Sequence, residues 1–129
     1  MAREDFTHSA KVLIALAAAT YAADADGETI DTQGFESVTF AGQTEGADGT
    51  ADLAVSVEES DDAATWAPAD ADDVYGETVE VEANGNDAPF QLGYRGDKRY
   101  VRLTVTVAAG QADVAATCVL GHAREVPTY

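Results

Sequence analysis

A two-residue rhythm of apolar and polar positions runs through this chain and is clearest towards its C-terminal end. Between Lys98 and Val107, the side chains of Val101, Leu103, Val105 and Val107 fall on one face of an extended chain. Tyr100, Arg102, Thr104 and Thr106 fall on the other. That is the period of a strand packed on one side, and its β-branched content agrees. Ala108-Ala109-Gly110 reads as a turn and Gln111–Leu120 as the returning strand, so the two are expected to form a hairpin. Phe35–Phe40 is a further strand, entered through Gly34 and left through Gly42. Asp52–Glu59 repeats the rhythm with Leu53, Val55 and Val57 inward. Glu77–Glu82 and Phe90–Tyr94 are short strands on either side of the turn-rich Asn84-Gly85-Asn86-Asp87.

Lys11–Thr20 is open to two readings. Its Ala and Leu content suits a helix. No cap accompanies helical periodicity, however, which favours a strand over Lys11–Leu16 followed by an Ala-rich connector. Strands punctuated by turns predict an all-β fold: a single antiparallel β-sandwich, jelly-roll-like, of about eight short strands with extended N- and C-terminal arms. Residues 1–10 are expected to be the N-terminal arm, 11–121 the sandwich and 122–129 the tail. No linker or repeat divides the chain, and its length suits one domain.

Composition refines this picture in two respects. Ala supplies much of the apolar content, while large core formers are few: one Trp, one Met, four Phe and five Tyr. A thin, layered core follows. Charge is more pronounced: 24 acidic residues face seven basic ones, for a net charge of −17. Such a surface repels phosphate backbones and anionic lipid, which argues against nucleic-acid and membrane partners. It serves solubility, or adaptation to a saline or halophilic host, where salt screens like-charge repulsion. The start of the chain lacks a signal-peptide pattern and no apolar run approaches the length of a membrane helix, so folding in a host cytoplasm is expected.

Candidate chemistry is sparse. Cys118, the sole cysteine, sits in the apolar run Val114–Leu120 and reads as a small buried hydrophobe rather than a reactive thiol. His8 and His122 lie near opposite ends, and no nucleophile elbow, metal spacing, phosphate loop or dinucleotide fingerprint accompanies them. An enzyme is not expected, nor a cofactor. Asp24 and Asp26, and Asp70 and Asp72, are weak candidates for an ordered cation, since the later ligands of a calcium loop are missing. Arg95, Lys98, Arg99 and Arg102 are more than half of the positive charge within eight positions. They either pair with the chain's own acids or form a docking patch for an acidic neighbour. With Phe6, Arg124 and Tyr129 of the terminal segments, they are the candidate subunit-interface residues. Trp66 and Tyr75 are the candidate aromatic platform for a glycan.

Four segments in order carry a resemblance: Ile30–Ser37, Val55–Ser60 running into an Asp-rich loop, Leu92–Leu103, and Leu120–Arg124. Together they resemble a family of small tailed-phage virion proteins encoded in the head morphogenesis cluster, many of them described as minor capsid proteins. The resemblance spans residues 11–124, and the chain departs from it in its acidity and its Ala-rich 17–25 segment. It implies a structural virion protein: a capsid decoration (cement) protein that binds the outer face of the major capsid lattice and stabilises the head. The alternative within the virion is a vertex, neck or head–tail connector component. The implied partners are the major capsid protein and copies of the chain itself, as a trimer or pentamer. From another class, the alternative is a carbohydrate-binding or adhesive β-sandwich on the virion surface.

Overall fold

A computed structural model describes residues 5–128. Eleven strands lie in two antiparallel sheets, and the described residues contain no α-helix. One sheet holds β1 (Lys11–Tyr21), β4 (Phe35–Glu45), β7 (Val74–Tyr75), β9 (Ala88–Tyr94) and β11 (Ala112–Ala123), in the order β1-β11-β4-β9-β7. The other is centred on β5 (Asp52–Ser60) and β10 (Tyr100–Ala109). Along β10 run β2 (Ala25–Asp26) and β3 (Ile30–Asp31), and along β5 run β6 (Ala67–Pro68) and β8 (Val79–Val81).

Counting β2/β3 and β6/β8 each as one interrupted edge leaves eight positions, with β7 as an addition. Their order is 1-8-3-6 in the first sheet and 2-7-4-5 in the second, the double Greek key of a jelly roll. The expected fold class is therefore the observed one. The core is the single layer between the sheets. Val101, Leu103 and Val105 of β10 and Leu53, Val55 and Val57 of β5 face Val38 and Phe40, Leu92 and Tyr94, and Val114, Cys118 and Leu120 of the opposite sheet. Their alternation along each strand is the period that identified the strands in the sequence.

The local expectations need four corrections. The turn at 108–110 does not close a hairpin: β10 pairs with β5, β2 and β3, whereas β11 pairs with β1 and β4 in the other sheet. Gly110 carries the chain across at φ 64°, where a Cβ would stand 2.6 Å from the Ala51 amide nitrogen. Alternation shows which face of a strand is apolar but not which strand lies beside it.

Second, the Ala-rich stretch after Leu16 is strand, not connector. Ala19, Thr20 and Tyr21 pair with Val114, Asp113 and Ala112. Irregular register between Ile14 and Ala19 leaves both Ala15 and Leu16 buried, which breaks the two-residue period just where the sequence was ambiguous. Third, Gly42 lies inside β4 rather than ending it. A Cβ there would be 2.4 Å from the Ala115 carbonyl and 2.5 Å from the Phe90 ring, so glycine makes room for Phe90 against the sheet. Fourth, the strand expected over Glu77–Glu82 shortens to Val79–Val81.

The described parts of the two termini lie together. Thr7–Ser9 form a 3-10 turn, the Thr128 amide donates to the His8 carbonyl (3.2 Å), and the Phe6 ring packs over Gly121.

This packing makes two checkable statements. Phe40→Ala should lower unfolding stability by about 3–5 kcal/mol, the cost of a cavity under a fully buried ring, measured by urea denaturation. Burial pushes the Cys118 thiol up to about 12, so the folded protein should not react with a thiol reagent at pH 8 while the unfolded chain reacts fully. Full labelling without denaturant would contradict the packing.

Candidate functional site

Each basic residue of the 95–102 segment is held by the chain itself. Arg102 points outward from β10, directly opposite Glu58 of β5 in the register. Its guanidinium donates to the Glu58 carboxylate at 2.8 Å, lies 3.5 Å from Asp26, and stacks 4.3 Å from the centre of the Trp66 ring. Arg102 and Glu58 are 17% and 21% exposed, so water screens this pair less than a surface bridge. Arg99 donates two hydrogen bonds to Asp31, at 3.0 and 2.8 Å, and these hold the Asp31 carboxyl below the usual carboxylate range. Lys98 bonds Asp61 at 2.9 Å. Arg95 donates to the Asp72 carbonyl (2.7 Å) and lies 4.9 Å from the centre of the Tyr75 ring. Arg124 bonds Glu36 at 2.6 Å.

Tyr94 anchors the loop that presents these groups. Its hydroxyl donates to Glu59 (2.6 Å) and accepts the Lys98 amide (3.1 Å), and burial first, then Glu59, raises its pKa. The cluster therefore works as a set of ties between strands and loops of one molecule.

The other candidates are dispersed. Trp66 lies in the loop before β6 and Tyr75 in β7 of the other sheet, and each ring has an arginine beside it. They do not make one platform. Asp24 accepts the Val107 amide (2.7 Å), Asp26 faces Arg102, and Asp70 and Asp72 border the 3-10 turn at 71–73. Among the described residues, no group of three His, Cys, Asp or Glu side chains is placed to hold a metal ion. Phe6 is half exposed over Gly121, and Tyr129 lies outside the described residues. His122 Nδ1 and Ser37 Oγ are 3.0 Å apart on an open sheet face, and the adjoining carboxylate, Glu36, is held by Arg124. His8 is hydrogen-bonded to Asp5.

A surface that the sequence reading did not single out is the outer face of the β1-β11-β4 region. Alternation turns Thr39, Ala41 and Gln43 of β4 outward, with Ala115, Thr117 and Val119 of β11 beside them. Next to these, Val12 and Ile14 of β1 are 65% and 63% exposed. This band has no charged side chain; Glu36 stands beyond one end and Glu45 and Asp113 beyond the other. An open, mostly apolar groove of about 570 Å³ runs along it between Ile14, Ala17, Ala41 and Ala115. The opposite sheet presents Asp26, Asp31, Asp52, Glu58, Glu80 and Arg102. A signal was present in the sequence: Val12–Ala23, Ser37–Thr44 and Val114–Ala123 are free of Asp, Glu, Lys and Arg, and the fold sets these runs side by side.

No protein-family model matches this chain, and no curated protein matches it. Solved structures do share its fold. One comes from Bacillus endospore appendages, described as a family of disulfide-linked pili; it is 14% identical with a TM-score of 0.51, over 94% of this chain and 93% of that one. Another is the crystal structure of PBSX exported protein XepA, 21% identical with a TM-score of 0.57. That likeness covers 89% of this chain and 38% of XepA, so the chain spans little more than a third of XepA's length. At these identities the shared property is the jelly-roll fold.

The Arg102 arrangement can be tested directly. Arg102→Ala should destabilise the fold by about 1–3 kcal/mol, between the limits for exposed and buried pairs, because Glu58 loses its partner. Trp66 fluorescence should shift to the red as the ring loses its cover. Arg102→Lys should recover part of the stability but not the stacking.

Proposed function

We propose that this chain is a non-enzymatic structural subunit that acts by associating with copies of itself and with other protein subunits in a virion or surface assembly. The observation that carries this reading is the division of its surface. One sheet carries an uncharged outer band on a body of net charge −17, and the other sheet is acidic and internally tied. A soluble sandwich that lives alone gains nothing from leaving Val12 and Ile14 open beside that bare face. The shared fold supports the class, because one neighbour belongs to pili and so to a polymer of protein subunits. Disulfide linkage, named for that neighbour, is not open to this chain in its folded form, since its sole cysteine is fully buried. Its contacts with neighbours would be non-covalent.

Within that class, the finer reading is a capsid decoration protein seated on the major capsid lattice. The uncharged face would meet neighbouring subunits and the acidic sheet would face the medium. The docking patch expected at the Arg/Lys cluster has no part in this contact, because its cations are engaged internally. It also places the acids where salt screens them, which suits a saline host.

Quantitative mass spectrometry of particles purified from a producing culture tests the assignment. Hundreds of copies per particle are expected for decoration, whereas a single ring's complement would move the role to a vertex, neck or connector. Absence from every purified particle or surface fraction would overturn the structural reading.

A further inference from the structure

We propose that two copies of this chain join through the start of β1, antiparallel about a two-fold axis, so that their five-stranded sheets run on into each other. The inference rests on the self-association reading above and names the surface and geometry that would carry it.

The first support is a contrast among the edges. Two jelly-roll sheets have four edges; two are broken into pieces of two or three residues, β2 with β3 and β6 with β8, and on a third β7 covers only Gly93 and Tyr94 of β9, whose open part contains Pro89. Short, interrupted edges are how sandwiches avoid pairing with other chains. β1 is the longest edge strand among the described residues, eleven residues with no proline in it. Its later part is not free, because the Ala15 carbonyl accepts the Glu28 amide (2.9 Å) and the Ala17 carbonyl accepts the Tyr21 hydroxyl (2.7 Å). Its first part, Lys11–Ile14, pairs without irregularity with β11 on one side. On the other side, alternate backbone N–H and C=O groups point away from the sheet.

The second support is charge, and it selects the occupant. Two bodies of net charge −17 repel each other wherever acidic surface meets acidic surface. The band beside β1 is where they can approach without opposing carboxylates. A two-fold axis through Leu13 pairs Val12 of one copy with Ile14 of the other, within the free Lys11–Ile14 part of the edge. Four exposed aliphatic side chains then meet across the axis, and no like charges stand opposite each other. A strongly basic partner would instead seek the acidic sheet, so a second copy is the occupant that fits an uncharged edge.

Sedimentation equilibrium on the full chain, in low salt and in 1–2 M KCl, tests the pairing. The wild type should form dimers or even-numbered assemblies, more strongly as salt shortens the Debye length to about 3 Å at 1 M. Val12→Lys and Ile14→Lys should each weaken association about tenfold or more while leaving the thermal midpoint nearly unchanged, as both side chains are mostly exposed. Thr106→Lys, on the opposite sheet, should not matter. Association that survives both β1 substitutions, or a trimer or pentamer indifferent to them, would overturn the β1 pairing and leave self-association standing. A wild type monomeric at every concentration and salt level would overturn the pairing and self-association together. A monomer that still binds particles through Val12 and Ile14 would assign the edge to a different partner and overturn pairing between copies.

Discussion

Like-charge repulsion is the constraint to which the rest of this structure answers. With 24 acidic residues against seven basic ones, carboxylates are crowded enough that Asp113 and Glu45 stand directly opposite each other across β11 and β4. Such a cross-strand pair is unfavourable by itself. Four of the scarce cations lie against carboxylates. Arg102 sits between Glu58 and Asp26, which flank it from the two strands beside β10. Arg99 fastens β3 through Asp31, and Lys98 reaches Asp61 beyond the end of β5. Each bridge joins segments distant in sequence, so the cations hold together elements that net charge would drive apart.

This accounts for the different characters of the two sheets. In the β10-centred sheet the edge strands are two- and three-residue fragments, and ion pairs from Arg102 and Arg99 lie over β2 and β3. The β11-centred sheet has long, continuous strands and extensive pairing, with an outer face of Ala, Thr, Gln and Val. Its acids, Glu36, Glu45 and Asp113, stand at the ends of that face. The two sheets thus differ in how they are held, one by ion pairs over short fragments and the other by long ladders.

The fold was legible in the sequence to the extent that alternation was unbroken. Leu53–Val57 and Val101–Val107 announced their strands because one face of each lies against the core for its whole length. Lys11–Tyr21 was ambiguous because the irregularity at Ala15 and Leu16 buries two residues in succession. The crossover at Gly110 was hidden for a different reason. A local pattern contains no term for the neighbour of a strand, and a three-residue turn suits a hairpin as well as a step between sheets. The candidate interface was read from the residues that stand out, the basic cluster and the aromatics; in the structure Arg95 lies by Tyr75, and Arg102 by Trp66 and Glu58.

What the sequence reading passed over was an absence. Three stretches without charge look unremarkable apart from each other, and in an Ala-rich chain they pass for core. Only the pairing of β1 with β11 and of β11 with β4 turns them into one continuous face. Inward positions of those strands were expected to be apolar, since any sandwich requires it. The outward positions were free to carry acids, as they do on the opposite sheet, and in a chain this acidic their neutrality is the feature that burial within the monomer does not explain. A surface held free of charge while the rest of the exterior accumulates it is what a contact between like-charged bodies requires.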